Sequence, residues 1–493
     1  MRKYQDESPT VTEYLFTLPK HCDSTLQSHI QEMIVSSILD GHIEPNSPLP
    51  SSRKLAKQLS VARNTVVYAY QHLVDEGFLV ARERSGFYVN PEILKGRAKA
   101  PKLENPEGRK VNWLDMITIK PHSFRQNKKP PNWQQYPYPF ICGQYDRDLF
   151  PIADWRECSR EAAAINAIHN WAKDQIDQDN PELIDQIHKK ILPRRGVWAE
   201  KEEILVTVGA QQGIYLAAQL LLNTDKSMGI ENPGYVDAEN TFSMLTSKVI
   251  PLAVDDQGLV PDRQLAKCDC IYTTPSHHYP STVTMSKERR QELLESAHKN
   301  NIIIIEDDYE SEFNYVGDPA PALKSMDSDG RVIYIGSLSK TLAPGIRLGY
   351  MVTSKAFIEQ ARSLRRLILR HPPSNNQFII AQFLKRGYHD ALVNRLSQTL
   401  HERWSILGDL LETHFPGSSR RSTFGGSAFW VEAPATINTE QLALKAMSHG
   451  ILFEPGAVFF HGDKKPQNFF RLGFSSIATD KLEGGIRKLS DLF

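Results

Sequence analysis

The middle of the chain contains five short apolar runs, and each ends on glycine or a polar residue. These runs constrain the possible folds of the chain more than any other feature. Runs of this length are typical of strands, and helical patterns separate several of them. This alternation predicts an α/β fold with a largely parallel sheet. In such a sheet, functional groups at the carboxyl ends of the strands face a shared crevice. The runs are "EILVTVG", "MGIENPG", "CIYTT", "IIIIED" and "RVIYIGS".

The length of 493 residues predicts two or three domains, and a hydrophobic content of 40% is enough for a sizeable core. The formal net charge is zero, so any binding of nucleic acid must come from a local patch. The five cysteines form no CxxC pair, which is typical of reduced thiols in a cytosolic protein. No apolar run approaches a membrane span, and we expect a cytoplasmic protein without a membrane or metal partner.

The stretch "SLSKTLAPGIRLGY" follows one of these runs and places Lys340 between hydroxyl residues and an arginine. A lysine that acts as a Schiff-base nucleophile needs a carbonyl partner, and pyridoxal 5′-phosphate supplies one. The phosphate of that cofactor needs hydroxyls, backbone N–H groups and an arginine. Ser337, Ser339 and Arg347 are the candidates in this stretch. The backbone N–H groups for this phosphate are predicted where "VTVGAQQGIYLAAQ" turns into a helix, at Gly209, Ala210 and Gln211.

Other strand ends supply what the ring of the cofactor needs. "IIIIEDDYESEF" is a buried type of strand that ends in acid, and Asp307 is our candidate for the pyridine nitrogen. Tyr309 is the candidate donor to the 3′-oxygen, and Tyr235 in "ENPGY" is the candidate ring stacker. His277 or His278 could also lie against the ring or its 3′-oxygen. Each motif alone has a plain structural explanation, but their combination at successive strand ends predicts a pyridoxal 5′-phosphate site.

Residues 20–90 predict a separate small unit of three helices and a hairpin. Apolar residues recur at helical spacing in "TLQSHIQEMIVSSILDG" and "VARNTVVYAYQHLVDEGFL", with the short helix "LPSSRKLAKQLS" between them. "FLVARERSGFYV" alternates apolar and polar residues around a Ser-Gly turn, which indicates a hairpin. A helix-turn-helix followed by a two-stranded wing is the expected arrangement.

This unit carries a segregated positive charge. Residues 51–72 contain four basic side chains and no acidic one. A recognition helix presents its N-terminal residues to base edges while flanking groups hold phosphates. We therefore predict binding to a double-stranded DNA operator; the alternative is a winged helix that contacts protein. The candidate DNA-binding residues are Ser52, Arg53, Arg63, Asn64, Thr65, Tyr68, Arg82 and Arg84.

Between the two patterned regions, residues 91–134 lack sustained periodicity and contain repeated prolines. Residues 91–130 hold ten Lys and Arg against four Asp and Glu. We interpret 91–134 as a basic extended linker that either touches phosphate or a partner subunit, or is only a solvated tether. Residues 135–493 then form the cofactor-binding domain, with a smaller α+β subdomain from about residue 375.

The quoted motifs also carry family resemblances. The N-terminal stretch "PSSRKLAKQLSVARNTVVYAYQHLVDEGFL" resembles the GntR type of winged helix, and "EDDYESEF" with "SLSKTLAPGIRLGY" resembles fold-type I aminotransferases. Together they resemble the MocR family of bacterial transcription regulators. That resemblance implies an internal aldimine at Lys340, phosphate binding by Arg347 and an effector carboxylate on Arg471. It also implies a head-to-tail homodimer with the cofactor sites at its interface.

The chain departs from the aminotransferase pattern at "YPST", where Tyr279 replaces an asparagine and Thr282 a glycine. The contact with the 3′-oxygen at that position is therefore in doubt.

Three hypotheses for the whole chain remain. It is a regulator that senses an amine or amino acid by aldimine exchange at Lys340, an aminotransferase with a DNA-binding appendage, or a DNA-binding protein with a dimerisation scaffold. The fused winged helix and the complete set of cofactor residues favour the regulator. Stretches such as "GQYDRDLFP" and "LPRRGVWA" are similar to MocR-type regulators of compatible-solute use, so ectoine-derived diamino acids and taurine are candidate effectors.

Overall fold

The computed structural model of the chain describes residues 25–93, 95, 111–317, 320–419 and 425–493. They fall into two units, Met1–Trp113 and Leu114–Phe493. Residues 20–24 of the predicted winged helix and residues 94 and 96–110 of the predicted linker lie outside the described residues. Residues 114–134 of the predicted linker belong to the C-terminal unit.

The N-terminal unit has three helices and a hairpin, as its periodicity predicts. Ser51 caps the second helix, because its hydroxyl accepts a hydrogen bond from the backbone N–H of Lys54 at 3.2 Å. The hairpin is antiparallel, and its register places Leu79 opposite Val89. The buried apolar side chains of all five elements form one core. The elements are α1 (Leu26–Leu39), α2 (Ser52–Leu59), α3 (Arg63–Asp75), β1 (Leu79–Arg82) and β2 (Gly86–Val89).

Eight strands form the main sheet of the C-terminal unit. They are β4 (Ile204–Thr207), β5 (Met228–Asn232), β6 (Val249–Asp255), β7 (Gly258–Leu259), β8 (Cys270–Thr273), β9 (Ile303–Asp308), β10 (Val332–Ser337) and β11 (Gly349–Val352). Their spatial order is β4–β11–β10–β9–β8–β5–β6–β7. The strands from β10 to β6 run parallel, while β11 and β7 are antiparallel to their neighbours. The carboxyl ends of β4, β5, β8, β9 and β10 therefore lie at one edge. The predicted mostly parallel α/β sheet is confirmed.

Helices cover both faces of this sheet. α8 (Ala210–Leu221), α9 (Val236–Ser243) and α11 (Lys355–Leu369) pack on the face that contains Ile305. α10 (Lys287–Asn300) packs on the opposite face, which contains Ile304. Successive side chains of a strand point to opposite faces, so a strand buried on both sides is apolar throughout. This explains the uninterrupted run of isoleucines in β9.

Further helices and short strands complete the C-terminal unit. The helices are α4 (Trp113–Met116, at the division between the units), α5 (Ile152–Ala162), α6 (Ile165–Trp171), α7 (Pro181–Gln186), α12 (Ser374–Lys385), α13 (Tyr388–His414), α14 (Thr439–Ser448) and α15 (Leu482–Ser490). The strands are β3 (Tyr138–Pro139), β12 (Ala428–Glu432), β13 (Ile451–Leu452), β14 (Glu454–Pro455) and β15 (Phe469–Gly473).

The smaller subdomain is built on a three-stranded antiparallel sheet in the order β12–β15–β14. In its register Glu454 of β14 lies directly opposite Arg471 of β15, and cross-strand neighbours of opposite charge attract. Within the described ranges, no helix has the length and apolar character needed to cross a membrane.

Candidate functional site

A cavity of about 250 Å³ lies at the carboxyl edge of the main sheet. It collects side chains from the ends of β5, β8, β9 and β10, from the start of α8 and from β15. The predicted site residues that line it are Ala210, Gln211, Tyr235, Asp307, Tyr309, Ser337, Ser339, Lys340, Arg347 and Arg471.

Asp307 and Asp308 end β9 and face in opposite directions, because side chains alternate along a strand. The Oδ2 atom of Asp307 accepts a hydrogen bond from the Tyr272 hydroxyl at 2.7 Å. Its Oδ1 atom is buried and has no hydrogen-bond partner among the described residues. Burial raises the pKa of Asp307 to about 7. A buried carboxylate oxygen with an open acceptor position is what a protonated pyridine nitrogen requires.

On the other face of β9, Asp308 forms an ion pair and a hydrogen bond through its Oδ2 atom, while its buried Oδ1 atom has no hydrogen-bond partner among the described residues. Its Oδ2 atom accepts hydrogen bonds from Arg195 Nε at 2.8 Å and from the Tyr334 hydroxyl at 2.8 Å. Burial alone would raise the pKa of Asp308, but the neighbouring guanidinium and hydroxyl hold it below its ordinary value. This charge pair fixes the end of β9 from the side opposite the cavity.

Lys340 follows β10 and reaches into the cavity. Burial lowers the pKa of Lys340, and the positive charges of Lys129 and Arg471 lower it further, while Glu310 opposes them. A lysine with a lowered pKa is neutral more often at neutral pH and is a better nucleophile.

The predicted phosphate site lies where Arg347 meets the start of α8. Gly209 precedes the helix with a φ of 74°, and a Cβ at that position would lie 2.8 Å from Arg347 Nη2. Gly349 also permits a close approach, since a Cβ there would lie 2.7 Å from the carbonyl carbon of Gly209. The first N–H groups of a helix have no partner within it and attract anions.

The two serines of this loop differ in what they can offer a ligand. The Ser339 hydroxyl donates to the Leu348 carbonyl at 3.1 Å and accepts from the Leu348 N–H at 2.9 Å. It therefore stabilises the loop itself. The Ser337 hydroxyl oxygen accepts from the Ser339 N–H at 3.3 Å, which leaves its proton for another acceptor.

Arg471 lies on the wall of the cavity and is 1% exposed. Its guanidinium stands 4.4 Å from the centre of the Tyr279 ring, and its Nη1 atom is 3.7 Å from Glu454 Oε2. Its Nε and Nη2 atoms have no hydrogen-bond partner within the part of the chain that the structure describes. Two unused donors on a buried guanidinium suit a carboxylate or a similar anion.

Tyr279, which replaces the expected asparagine, is the centre of an aromatic cluster. Its ring centroid lies 5.2 Å from that of Tyr235 and 5.9 Å from that of Tyr309. The Tyr309 hydroxyl is buried without a hydrogen-bond partner in the described ranges.

The two predicted histidines are not among the residues that line the cavity. His277 is 1% exposed, and neither ring nitrogen has a partner among the residues described. His278 contacts Ser281 Oγ at 2.6 Å and the Pro233 carbonyl oxygen at 3.1 Å. Burial lowers the pKa of His278 to about 3, so its ring is neutral.

Several lining residues were not predicted. Tyr272 lies in the middle of an apolar strand. Glu310 is one of several carboxylates at or after the end of β9, and the sequence alone does not show which of them line the cavity. Asn127 and Lys129 come from the unpatterned linker, where the sequence gives no periodic signal. The remaining unpredicted lining residues are Cys142, Gly143, Ile214, Val236, Asp237, Tyr279 and Pro344.

The predicted DNA-binding residues lie on two helix starts and the wing of the N-terminal unit. Arg63 and Asn64 are exposed at the start of α3, Thr65 is half-buried, and Tyr68 is 62% exposed one turn later. Arg63 Nε donates to the Ser52 hydroxyl oxygen at 3.4 Å, which joins the starts of α2 and α3.

The wing and the start of α2 contribute the remaining candidates. Arg53, Arg82 and Arg84 are exposed. Arg82 hydrogen-bonds Asn46, and its guanidinium lies 4.1 Å from the centre of the Tyr88 ring. Arg84 occupies the hairpin turn.

Comparison with known families agrees with both units. The family of aminotransferases of class I and II matches residues 141–489, and the gntR family of bacterial regulatory proteins matches residues 26–89. The HTH-type transcriptional regulator TauR of Rhodobacter capsulatus is 39% identical over 96% of this chain and 98% of its own length. The probable rhizopine catabolism regulatory protein MocR of Rhizobium meliloti is 27% identical over 97% of this chain and 96% of its own.

The chain belongs to the MocR family of transcription regulators. Among solved structures, a kynurenine aminotransferase of Pyrococcus horikoshii in complex with PMP has a TM-score of 0.67 and 26% identity. That likeness covers 73% of this chain and 92% of the aminotransferase. This MocR-family chain therefore joins a gntR-type DNA-binding unit to an aminotransferase-like domain, and its cofactor is pyridoxal 5′-phosphate. Three features fit that cofactor: Asp307 Oδ1, which has no partner among the described residues, the site where Arg347 meets the start of α8, and Lys340.

The different environments of Asp307 and Asp308 predict opposite effects of substitution on the free energy of unfolding. The raised pKa of Asp307 means that its ionised form costs stability above about pH 7, and this cost disappears as the pH falls towards 4. We expect Asp307→Asn to stabilise the chain freed of pyridoxal 5′-phosphate at pH 8 by about 1 kcal/mol or more, and by less at pH 5. Asp308→Asn should instead cost about 3 kcal/mol at pH 8, since it leaves Arg195 buried without its partner.

Urea unfolding of both variants at the two pH values measures these changes. Equal destabilisation by the two substitutions would contradict the described electrostatics.

Proposed function

We propose that this MocR-family chain binds operator DNA and senses a primary amine or amino acid at its pyridoxal 5′-phosphate site. The observation that carries the proposal is one cavity that combines Lys340 and Asp307 with two donors of Arg471 that have no partner among the described residues. The first two suit the cofactor, and the third suits an anionic group on an incoming amine.

The residues of the cavity divide into those that hold the cofactor and those that receive the effector. Asp307 Oδ1 would accept from the pyridine nitrogen, and the start of α8, with Arg347 and Ser337, would hold the phosphate. Tyr235 would lie against the ring, and the Tyr309 hydroxyl, which has no partner among the described residues, would donate to the 3′-oxygen. In the proposed arrangement Ser339 acts indirectly, because its hydroxyl is committed to Leu348.

When bound, pyridoxal 5′-phosphate supplies an aldehyde that condenses reversibly with one primary amine at a time. Lys340 and the effector amine compete for that position. The lowered pKa of Lys340 favours its neutral form, which reduces the free energy needed to deprotonate its amine. Arg471 binds the anionic end of the effector, and its burial strengthens that contact because water does not screen it.

In the N-terminal unit, we assign base contacts to the start of α3 and phosphate contacts to the surrounding residues. Arg63, Asn64 and Thr65 occupy the positions that a recognition helix presents to the major groove. Tyr68 extends this surface by one turn. Ser52, Arg53, Arg82 and Arg84 contact the backbone in this proposal.

The assembly and setting of the chain are also proposals. Large apolar side chains on the C-terminal unit are exposed, among them Ile152 at 59%, Ile165 at 72%, Trp198 at 80% and Leu367 at 83%. In the proposed homodimer, such side chains are candidates for the interface. The head-to-tail arrangement, action in the cytoplasm and control of genes for a compatible solute or related nitrogen compound remain predictions from the sequence.

A working aminotransferase with a DNA-binding appendage is the second candidate. The intact combination of Lys340, Asp307 and Arg347 favours it, since these residues also suit a full catalytic cycle. Sustained multiple-turnover transamination with a common amino donor and a keto acid would support this candidate against a regulator that only senses.

Lys340 gives the direct test of sensing. We expect Lys340→Ala to remove the visible absorbance that the lysine gives with the bound cofactor, and with it the absorbance change that accompanies displacement of the lysine by an amine. DNA binding by the same variant should persist in a gel-shift assay. Lys355→Ala, at an exposed lysine, is the matched control and should behave as the wild type. A Lys340→Ala chain that keeps the wild-type absorbance and its change on titration with amines would overturn the proposal.

Arg63 tests the assignment of the recognition helix. If Arg63 reads a guanine, Arg63→Ala should cost ~1–3 kcal/mol of discrimination between operator and unrelated DNA. Arg53→Ala, at a proposed phosphate contact, should weaken both DNAs about equally. Binding isotherms on the two duplexes at fixed salt measure both effects. Equal weakening by Arg63→Ala would place Arg63 on phosphate instead.

A further inference from the structure

Residues 125–129 of the predicted linker pack against the rest of the C-terminal unit, and their side chains alternate between half-buried and exposed positions. Arg125, Asn127 and Lys129 are half-buried, while Gln126 and Lys128 are exposed. An extended backbone points successive side chains to opposite sides, so three side chains face the domain and two face solvent. The basic composition of this segment suggested a solvated tether as one possibility, but its placement makes it part of the domain.

Arg125 fixes the beginning of this segment. Its Nη1 atom donates to the carbonyl oxygens of Val458 at 2.8 Å and Phe460 at 2.6 Å, and its Nη2 atom forms an ion pair with Glu239. The Asn240 side chain donates to the Arg125 carbonyl oxygen at 2.8 Å. These contacts hold the backbone in place beside the cavity.

Asn127 and Lys129 line the cavity itself. The Lys129 amine donates to the Cys142 carbonyl oxygen and lies 3.0 Å from Glu454 Oε1. A Cβ on Gly143 would lie 3.8 Å from Lys129 Nζ and 2.8 Å from Lys340 Nζ, so the two amines flank the same point of the wall.

Glu454 connects Lys129 to the proposed anion site. It is 2% exposed and lies between Lys129, at 3.0 Å, and Arg471, at 3.7 Å. A buried carboxylate needs a cationic partner. Since Lys129 is the closer of the two, it balances the larger share of the Glu454 charge and leaves the charge of Arg471 only partly compensated. Without Lys129, the charge of Arg471 would be balanced by Glu454 before any ligand arrived.

We propose that the segment from Arg125 to Lys129 is part of the effector site, and that Lys129 determines its preference for amines that carry an anionic group. Lys129 does so by neutralising Glu454, which keeps Arg471 available for the anion. The inference rests on the proposed function, in which this cavity binds an amine effector.

The test compares two amines that differ only in a carboxylate, 3-aminopropionate and ethylamine. Each is titrated into the full cofactor-loaded chain while visible absorbance is followed, and the ratio of the two dissociation constants gives the carboxylate preference. Lys129→Gln removes the charge but keeps a donor for the Cys142 carbonyl. We expect it to lower the preference by about tenfold, with little change for ethylamine. Lys128→Gln, at the exposed neighbour, should leave the preference unchanged.

Three further variants separate this role from a merely structural one. Lys129→Arg should retain the preference, because it keeps the charge. Glu454→Gln alone should raise the carboxylate preference, since no buried carboxylate then competes with the ligand for Arg471. The double variant Lys129→Gln/Glu454→Gln should restore it. An unchanged preference in Lys129→Gln, or no rise in Glu454→Gln, overturns the inference.

The wild type distinguishes a failure of the inference from a failure of the proposed function. If neither amine changes the absorbance of the wild type, amine sensing is wrong. If both amines bind equally well, the assignment of Arg471 as the anion site is wrong, and the role of Lys129 falls with it. If the wild type prefers the carboxylate and Lys129→Gln does so equally, only the inference fails.

Discussion

The alternation of side chains at the end of β9 is the constraint on which the site depends. Two consecutive carboxylates leave the strand in opposite directions, and the sheet supplies each with a different environment. Asp308 meets Arg195 and Tyr334 and anchors the strand. Asp307 keeps one oxygen without a partner in the described part of the chain, at the edge where the other strand ends deliver their functional groups. A shift of register by one residue would exchange the anchor and the ligand-binding group.

The fold could be predicted where burial makes a strand uniformly apolar. β9 and β10 are of this kind, and both were found from the sequence. β6 was missed because it exposes part of its length and contains Pro251, so its pattern is weak. β11 was missed because four residues directly after the Arg347 loop are too short to stand out from it.

The site could be predicted where one residue type has one evident chemical purpose. Lys340, Asp307 and Arg347 were named from such reasoning and Arg471 from the family resemblance, and the structure brings all four to one cavity. Tyr272 was not found because its contact with Asp307 depends on β8 lying beside β9, which only the strand order reveals. Lys129 was not found because an irregular segment carries no periodicity, and its position is set by tertiary contacts alone.

In the proposed function, one chain couples an amine site to a DNA-binding unit. Coupling between two sites is reciprocal: whatever factor the amine applies to DNA affinity, DNA must apply to amine affinity. The most direct measurement is therefore the operator affinity of the cofactor-loaded wild type, with and without the amine that most changes its visible absorbance. We predict a change of about 5–150-fold, matched by an equal change in amine affinity when operator is present. An operator affinity that is the same with and without saturating amine would contradict this account.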